Sequence, residues 1–164
     1  MTLDVYSPLK ATSQSNLPVL LFIHGGNFIQ GGSGTILYNS DFPVNNSEIV
    51  VVVIQYRLGA LGFFYNGENT GNFAILDQRT ALQWVQQNIT PFGGDPNQIT
   101  IWRQSAGGAS FMSHLISPGS KGLFKAAAMD SNPITLDFNT IKEAKEISTR
   151  FANLLGCQPA IFLI

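Results

Sequence analysis

The sequence predicts an α/β fold, a mostly parallel central sheet with flanking helices, and three observations carry that prediction. Short apolar runs rich in β-branched residues, at 18–23, 49–55 and 99–102, lack the polar alternation of a strand with one wet face and read as strands buried in a sheet. Between them lies a segment of helical spacing, with Ile75, Gln78, Leu82, Val85 and Ile89 three and four residues apart. Small, glycine-rich runs then follow two of the strands, at His24-Gly-Gly-Asn-Phe28 and at Ser105-Ala-Gly-Gly108.

Taken in order, residues 2–6 read as an edge strand and 18–23 as a buried one. The loop from His24 continues through Gly31, Gly32 and Gly34, and backbone this free lets successive N–H groups turn towards one point. Residues 49–55 form the deepest strand by composition, closed by Tyr56-Arg57-Leu58-Gly59. Arg57 is expected to form a structural ion pair at the sheet end with Asp77 or Asp95. Gly71-Asn72 introduces the helix of the spaced stripe, with Trp84 flanking it as a core ring and Asn88 ending it.

The turn-rich run 92–98 enters the strand at 99–102, and a sharp turn then carries Ser105 into a helix bearing Phe111, Met112, Leu115 and Ile116. This arrangement lifts the Ser105 hydroxyl above the sheet edge and sets the Ala106 N–H at a helix N-terminus, where it can stabilise an oxyanion. Residues 124–129 read as the next parallel strand, reached by a right-handed crossover. Thr140-Ile-Lys-Glu143 has capping-box spacing and opens a helix with Ala144, Ile147, Phe151 and Leu154 on one face, ending at Gly156. The last five residues, 160–164, are apolar but too few to span a bilayer; they read as a truncation or a shifted frame with an aggregation risk.

At 164 residues the chain is long enough for one domain, burying roughly 70% of its unfolded surface. Only 12% of residues are charged while 45% are apolar, against roughly 25% charged in an ordinary soluble domain. Surfaces so poor in charge suggest a piece of a larger domain. The net charge of -1 with no basic run argues against nucleic acid and anionic membrane as partners. One cysteine and two histidines make no metal site, and no cofactor is called for. Met1 leads almost directly into the first strand without a basic and apolar leader, so the expectation for the product as written is the cytoplasm. The sequons at Asn45 and Asn88 would matter only on a secreted form. Oligomeric state is not legible.

The chain resembles the type-B carboxylesterases and cholinesterases from about Leu3 to about Cys157. Eight phrases in order carry the resemblance: Val5-Tyr-Ser-Pro8, Phe22-Ile-His-Gly-Gly26, Gln55-Tyr-Arg-Leu-Gly59 with Gly62-Phe63, Gly71-Asn72 with Leu76-Asp-Gln78, Ala81-Leu-Gln-Trp-Val85, Phe92-Gly-Gly-Asp-Pro96, Ser105-Ala-Gly-Gly108 and Gly122-Leu-Phe124. The resemblance implies a partial α/β-hydrolase fold over 1–164, cut before the acid and the histidine of the family's triad. It implies a serine nucleophile at Ser105, an oxyanion hole from the N–H groups of Gly26, Asn27 and Ala106, a small-molecule carboxylic ester as substrate, and no cofactor. Cys157 resembles the first half of a family disulfide, and relatives are commonly secreted or membrane-anchored.

Three positions depart from the family pattern. Arg103 stands where relatives carry glycine, and its guanidinium must find room or force strand and helix apart. Gln104 replaces a buried carboxylate with an amide, and Asn27 stands for a third glycine while keeping its N–H. A serine also needs a general base within about 3 Å. His114 sits nine residues on, well over 10 Å away down the helix at about 1.5 Å per residue, and His24 is structural by resemblance. The expectation is therefore an ester hydrolase by family whose triad is incomplete here, or else a non-catalytic binding or adhesion module or a decayed relic.

Overall fold

Five strands form one sheet in the computed structural model, which describes residues 2–35, 40–68, 71–104, 106–130 and 139–157. They are β1 (Leu3–Tyr6), β2 (Leu17–Ile23), β3 (Val50–Ile54), β4 (Gly94–Gln104) and β5 (Ala126–Asp130), in the order β1-β3-β2-β4-β5. β1 runs antiparallel to β3 at the edge, and every other neighbouring pair is parallel. The run Val50-Val-Val-Val-Ile54 is buried at all five positions, because branched side chains with few χ1 choices fit a pleated surface covered on both faces.

Among the described residues five α-helices accompany the sheet: α1 (Asp41–Asn46), α2 (Gly59–Phe63), α3 (Phe73–Asn88), α4 (Ala106–Ile116) and α5 (Ile141–Leu154). On one sheet face Val19, Leu21, Ile23, Val52, Ile54, Ile99 and Ile101 pack against Leu82, Val85 and Ile89 from α3 and its end. On the other, Phe22, Val51 and Val53 pack against Val44 of α1. Trp102 tilts against Phe22 there, with ring centres 5.1 Å apart, and stays 42% exposed.

Several expectations are corrected. β4 begins at Gly94, five residues early, and a register irregularity between Leu17 and Val19 of its partner absorbs the turn-rich run. The buried face of α3 carries Ala74 and Ala81 alongside Gln78, Leu82 and Val85, and Ile75 is only half-buried. The cause is α2: a Cβ on Gly62 would come within 3.1 Å of the Ala74 methyl, so the first turn of α3 faces that helix. β5 starts at Ala126, with Phe124 packed against the core from outside the strand.

The apolar faces expected on α4 and α5 do not turn inward. Met112, Leu115 and Ile116 are 37%, 52% and 76% exposed, while Ser110 and His114 of the same helix are buried. On α5 Ser148 and Ala152 are buried, and Ile147 and Leu154 are exposed. Ser148 Oγ accepts the Tyr65 N–H at 2.9 Å, and this polar contact sets the face that α5 presents. Its capping box forms as expected between Thr140 and Glu143.

The ion-pair partner of Arg57 is Asp77. Arg57 Nε and Nη2 each donate to one carboxylate oxygen at 2.8 Å, and the Arg57 N–H adds a third bond at 3.0 Å. Asp95 instead accepts from Asn97 and Gln98 within its own loop. Residues 131–138 and the apolar end 160–164 lie outside the described residues.

Candidate active site

β2 and β4 are parallel neighbours, and the last pair between them is Ile23 with Arg103. Two connections therefore leave the sheet side by side at one edge: His24-Gly25-Gly26-Asn27 from β2, and the link from Gln104 to Ala106 from β4. β4 ends at 104 and α4 begins at 106, so one position separates strand from helix. That position is Ser105, which itself lies outside the described residues. Ala106 opens α4, and the first N–H groups of a helix have no intrahelical acceptor.

The loop after β2 is held in an unusual shape. Gly26, Asn27 and Phe28 take φ of 106°, 55° and 60°, three left-handed residues in a row. The Gly26 carbonyl accepts from the N–H groups of Ile29 and Gln30, and a Cβ at Gly26 would collide with the Gln30 carbonyl. Only glycine fits there. Asn27 is among the residues that tolerate this region, but Phe28 is not. Phe28 is pinned by its neighbours: its carbonyl accepts the Gly59 N–H at 2.7 Å, and its ring meets Phe63 edge-on at 5.1 Å. Strain kept by surrounding contacts is a feature of functional loops. Only the glycines nearby hinted at it in the sequence.

His24 braces the base of this loop. It is fully buried, its Nδ1–H donates to the Gly25 carbonyl at 2.9 Å, and its ring stacks on Tyr56 at 4.5 Å. The Tyr56 hydroxyl in turn donates to the His24 carbonyl at 2.7 Å.

Arg103 finds room. It is fully buried, and its strand pairs in unbroken register with Ile23 on one side and Met129 on the other. Burial pushes the guanidinium well below its ordinary value, down to about 9, with Tyr56 acting the other way, so it remains a cation at neutral pH. Gln104 is exposed.

His114 is a buried packing residue with both ring nitrogens engaged: Nδ1 lies 2.8 Å from Ser120 Oγ and Nε2 lies 3.1 Å from Gln78 Oε1. Gln78 Nε2 donates on to Ser110 Oγ at 3.1 Å. Burial first, then the charges of Arg103 and Arg79, lower His114 from 6.5 to about 3, so it is neutral under ordinary conditions. The one sequence signal for this network was a glutamine on an otherwise apolar stripe.

A cavity of about 560 Å³ opens beside the loop, with Asn27, Phe28, Phe63 and Phe151 among its walls. A larger cleft, about 640 Å³, runs along the residues of α5 alone and lies apart from the strand ends. Among the described residues no three His, Cys, Asp or Glu side chains cluster as metal ligands, and no helix is long and apolar enough to cross a membrane. The Cys157 thiol is free and half-buried.

The carboxylesterase family model matches residues 1–161. Acylcarnitine hydrolase of Mus musculus is 45% identical over 158 residues, covering 95% of this chain and 28% of that protein. Cocaine esterase of Homo sapiens is 46% identical over 157 residues, covering 94% and 28%. The crystal structure of carboxylesterase EST55 from Geobacillus stearothermophilus aligns with a TM-score of 0.90 at 36% identity, over 96% of this chain and 35% of that one. The chain thus spans little more than a quarter of the length of these curated relatives. By sequence and by the paired strand ends at one sheet edge, it belongs to the carboxylesterase family and carries part of its α/β-hydrolase fold.

Proposed function

We propose that this chain forms the nucleophile and oxyanion portion of a carboxylic ester hydrolase. Ser105 Oγ attacks the ester carbonyl carbon, the alcohol leaves, and water then hydrolyses the acyl-serine. The N–H groups of Gly26, Asn27 and Ala106 receive the oxyanion, each worth about 3 kcal/mol in the transition state. The observation that supports this most directly is the pairing of Ile23 with Arg103, which brings the left-handed loop and the start of α4 to one sheet edge.

A general base must take the Ser105 proton, and neither histidine of the chain suits that task. His114 has both nitrogens bonded inside the fold, and His24 is buried in a stack with Tyr56. In this reading the acid and the base belong to the rest of the length that the relatives have, and the 164 residues alone do not turn over ester. One observation favours a second reading, a non-catalytic module: buried Arg103 places a cation two residues before Ser105, and a nearby cation disfavours the imidazolium that a histidine base must become.

Hydrolysis of p-nitrophenyl acetate by the purified chain, against Ser105→Ala and with mass spectrometry after organophosphate treatment, tests both readings. Equal rates and no adduct are expected for the chain alone, with adduct on Ser105 once the remaining length of the relatives' fold is supplied. Failure of that longer form to be labelled overturns the hydrolase reading. Ser105-dependent turnover by the 164 residues alone overturns the incomplete triad.

A further inference from the structure

Ala106, Ser110 and His114 fall at i, i+4 and i+8 along α4, one above another on a single stripe. The lower two are buried and tied to α3 by one side chain, Gln78, which is itself fully buried. The bonds have a single consistent direction. Gln78 spends its N–H on Ser110, so its Oε1 accepts from His114 Nε2–H; the neutral ring then accepts at Nδ1 from the Ser120 hydroxyl. The chain from Ser120 through His114 and Gln78 to Ser110 thus fastens α4 at two levels, the upper one a single turn below Ala106.

We infer that Gln78 is a positioning residue: its two hydrogen bonds set the rotation and height of α4, and so the place of the Ala106 N–H at the helix start. This rests on the ester-hydrolase reading only for its use, since the geometry is independent of the chemistry. A leucine would fill the same volume on an inner stripe, so packing alone does not account for an amide here. A buried amide with both ends bonded to one helix fixes that helix in a way an apolar contact does not.

The test is amide hydrogen exchange by NMR on the 164-residue chain and on Gln78→Leu, Gln78→Glu and Ser110→Ala. The Ser110 and Phe111 N–H groups bond to carbonyls of the first turn of α4, so their exchange reads whether that turn is held. Gln78→Leu and Ser110→Ala are expected to speed these amides roughly tenfold or more, while those of α5 keep their rates. Gln78→Glu keeps the acceptor for His114 and loses the donor to Ser110. It is expected to loosen the same turn and also to make His114 take up a proton at higher pH, seen in its ring nitrogen shifts, against the opposing charges of Arg103 and Arg79. A filler role would leave the exchange of the Ser110 and Phe111 amides unmoved by the near-isosteric glutamate, while the ring shifts report that the carboxylate sits beside His114. Uniform acceleration in α4 and α5 alike, or no change at Ser110 and Phe111, overturns the inference. Labelling of Ser105 by a fluorophosphonate in the longer form is a separate readout: a local exchange response without labelling retains the positioning role and removes the hydrolase reading.

Discussion

Acid should weaken this fold through His114 before it reaches the carboxylates. The ring titrates at 6.5 when unfolded and at about 3 when folded, chiefly because burial excludes the charged form and secondarily because Arg103 and Arg79 repel it. The unfolded chain therefore binds the proton more readily, so the stabilisation is full above pH 6.5 and drains away as pH falls towards 3. At pH 5 the unfolded ring is protonated by a factor of about 30, which at RT of 0.59 kcal/mol is a loss of about 2 kcal/mol relative to pH 7. Out of a total stability of about 5–15 kcal/mol that is a large share. The carboxylates whose values are lowered, Asp77, Asp95 and Glu143, lose their contributions below 3.8, 3.8 and 4.5 respectively, below the interval between pH 7 and pH 5.

Urea unfolding followed by tryptophan fluorescence at pH 7 and pH 5, on the wild-type chain and on His114→Asn, isolates the effect. The variant is less stable at pH 7 because it loses a buried bond, yet its drop between the two pH values should be smaller by about 2 kcal/mol. Contributions from the rest of the chain are common to both proteins and cancel in the difference. Equal drops in the two proteins, with unchanged denaturant slopes, would refute the reasoning.

Three further outcomes follow from particular contacts. Asp77→Asn removes the counter-charge of Arg57, whose side chain is 49% exposed and screened, so the expected cost is about 1–2 kcal/mol in urea unfolding; burial works against the Asp77 charge but the Arg57 hydrogen bonds outweigh it, so this stabilisation is present above 3.8 and lost as pH falls through the lower folded value. Gly26→Ala meets both a left-handed φ and the Gln30 carbonyl, and should cost about 1–3 kcal/mol in thermal unfolding while reducing phosphonate labelling of Ser105 in the longer form. Thr140→Ala removes the acceptor for the Glu143 N–H and should cost about 1 kcal/mol, read as faster exchange in the first turn of α5 with the sheet unchanged.

What was legible in the sequence was whatever depends on local chemistry. A run of four valines and an isoleucine makes a buried strand almost anywhere, and Thr140 with Glu143 caps a helix by short-range bonds. Helix faces were less legible, because spacing tells which residues share a face and not which face finds a neighbour. Met112, Leu115 and Ile116 share a side of α4 as expected, but the neighbour on the inner side is Gln78, and it selects Ser110 and His114. The choice between Asp77 and Asp95 for Arg57 likewise depended on where α3 starts, a tertiary matter. At the site, the glycines announced a loop of unusual backbone, while the left-handed Phe28 did not announce itself, since its cause lies in Gly59 and Phe63 more than thirty residues away.

Arg103 is where these threads join. As a departure from the family pattern it raised the expectation of a steric problem, and the structure gives an electrostatic answer: a buried cation that helps to keep His114 neutral. A neutral His114 is what lets Nδ1 accept from Ser120 while Nε2 donates to Gln78. Removing the charge while keeping an unbranched chain, as in Arg103→Met, should therefore raise the His114 value from about 3 without restoring 6.5, because burial is the larger cause and stays. The acid-induced loss of stability should shrink accordingly, with its lower limit moving to higher pH. A ring titration of His114 by NMR reads this directly. An unchanged titration in Arg103→Met would mean that burial and Arg79 set the histidine between them, and Arg103 would then have no part in fastening α4.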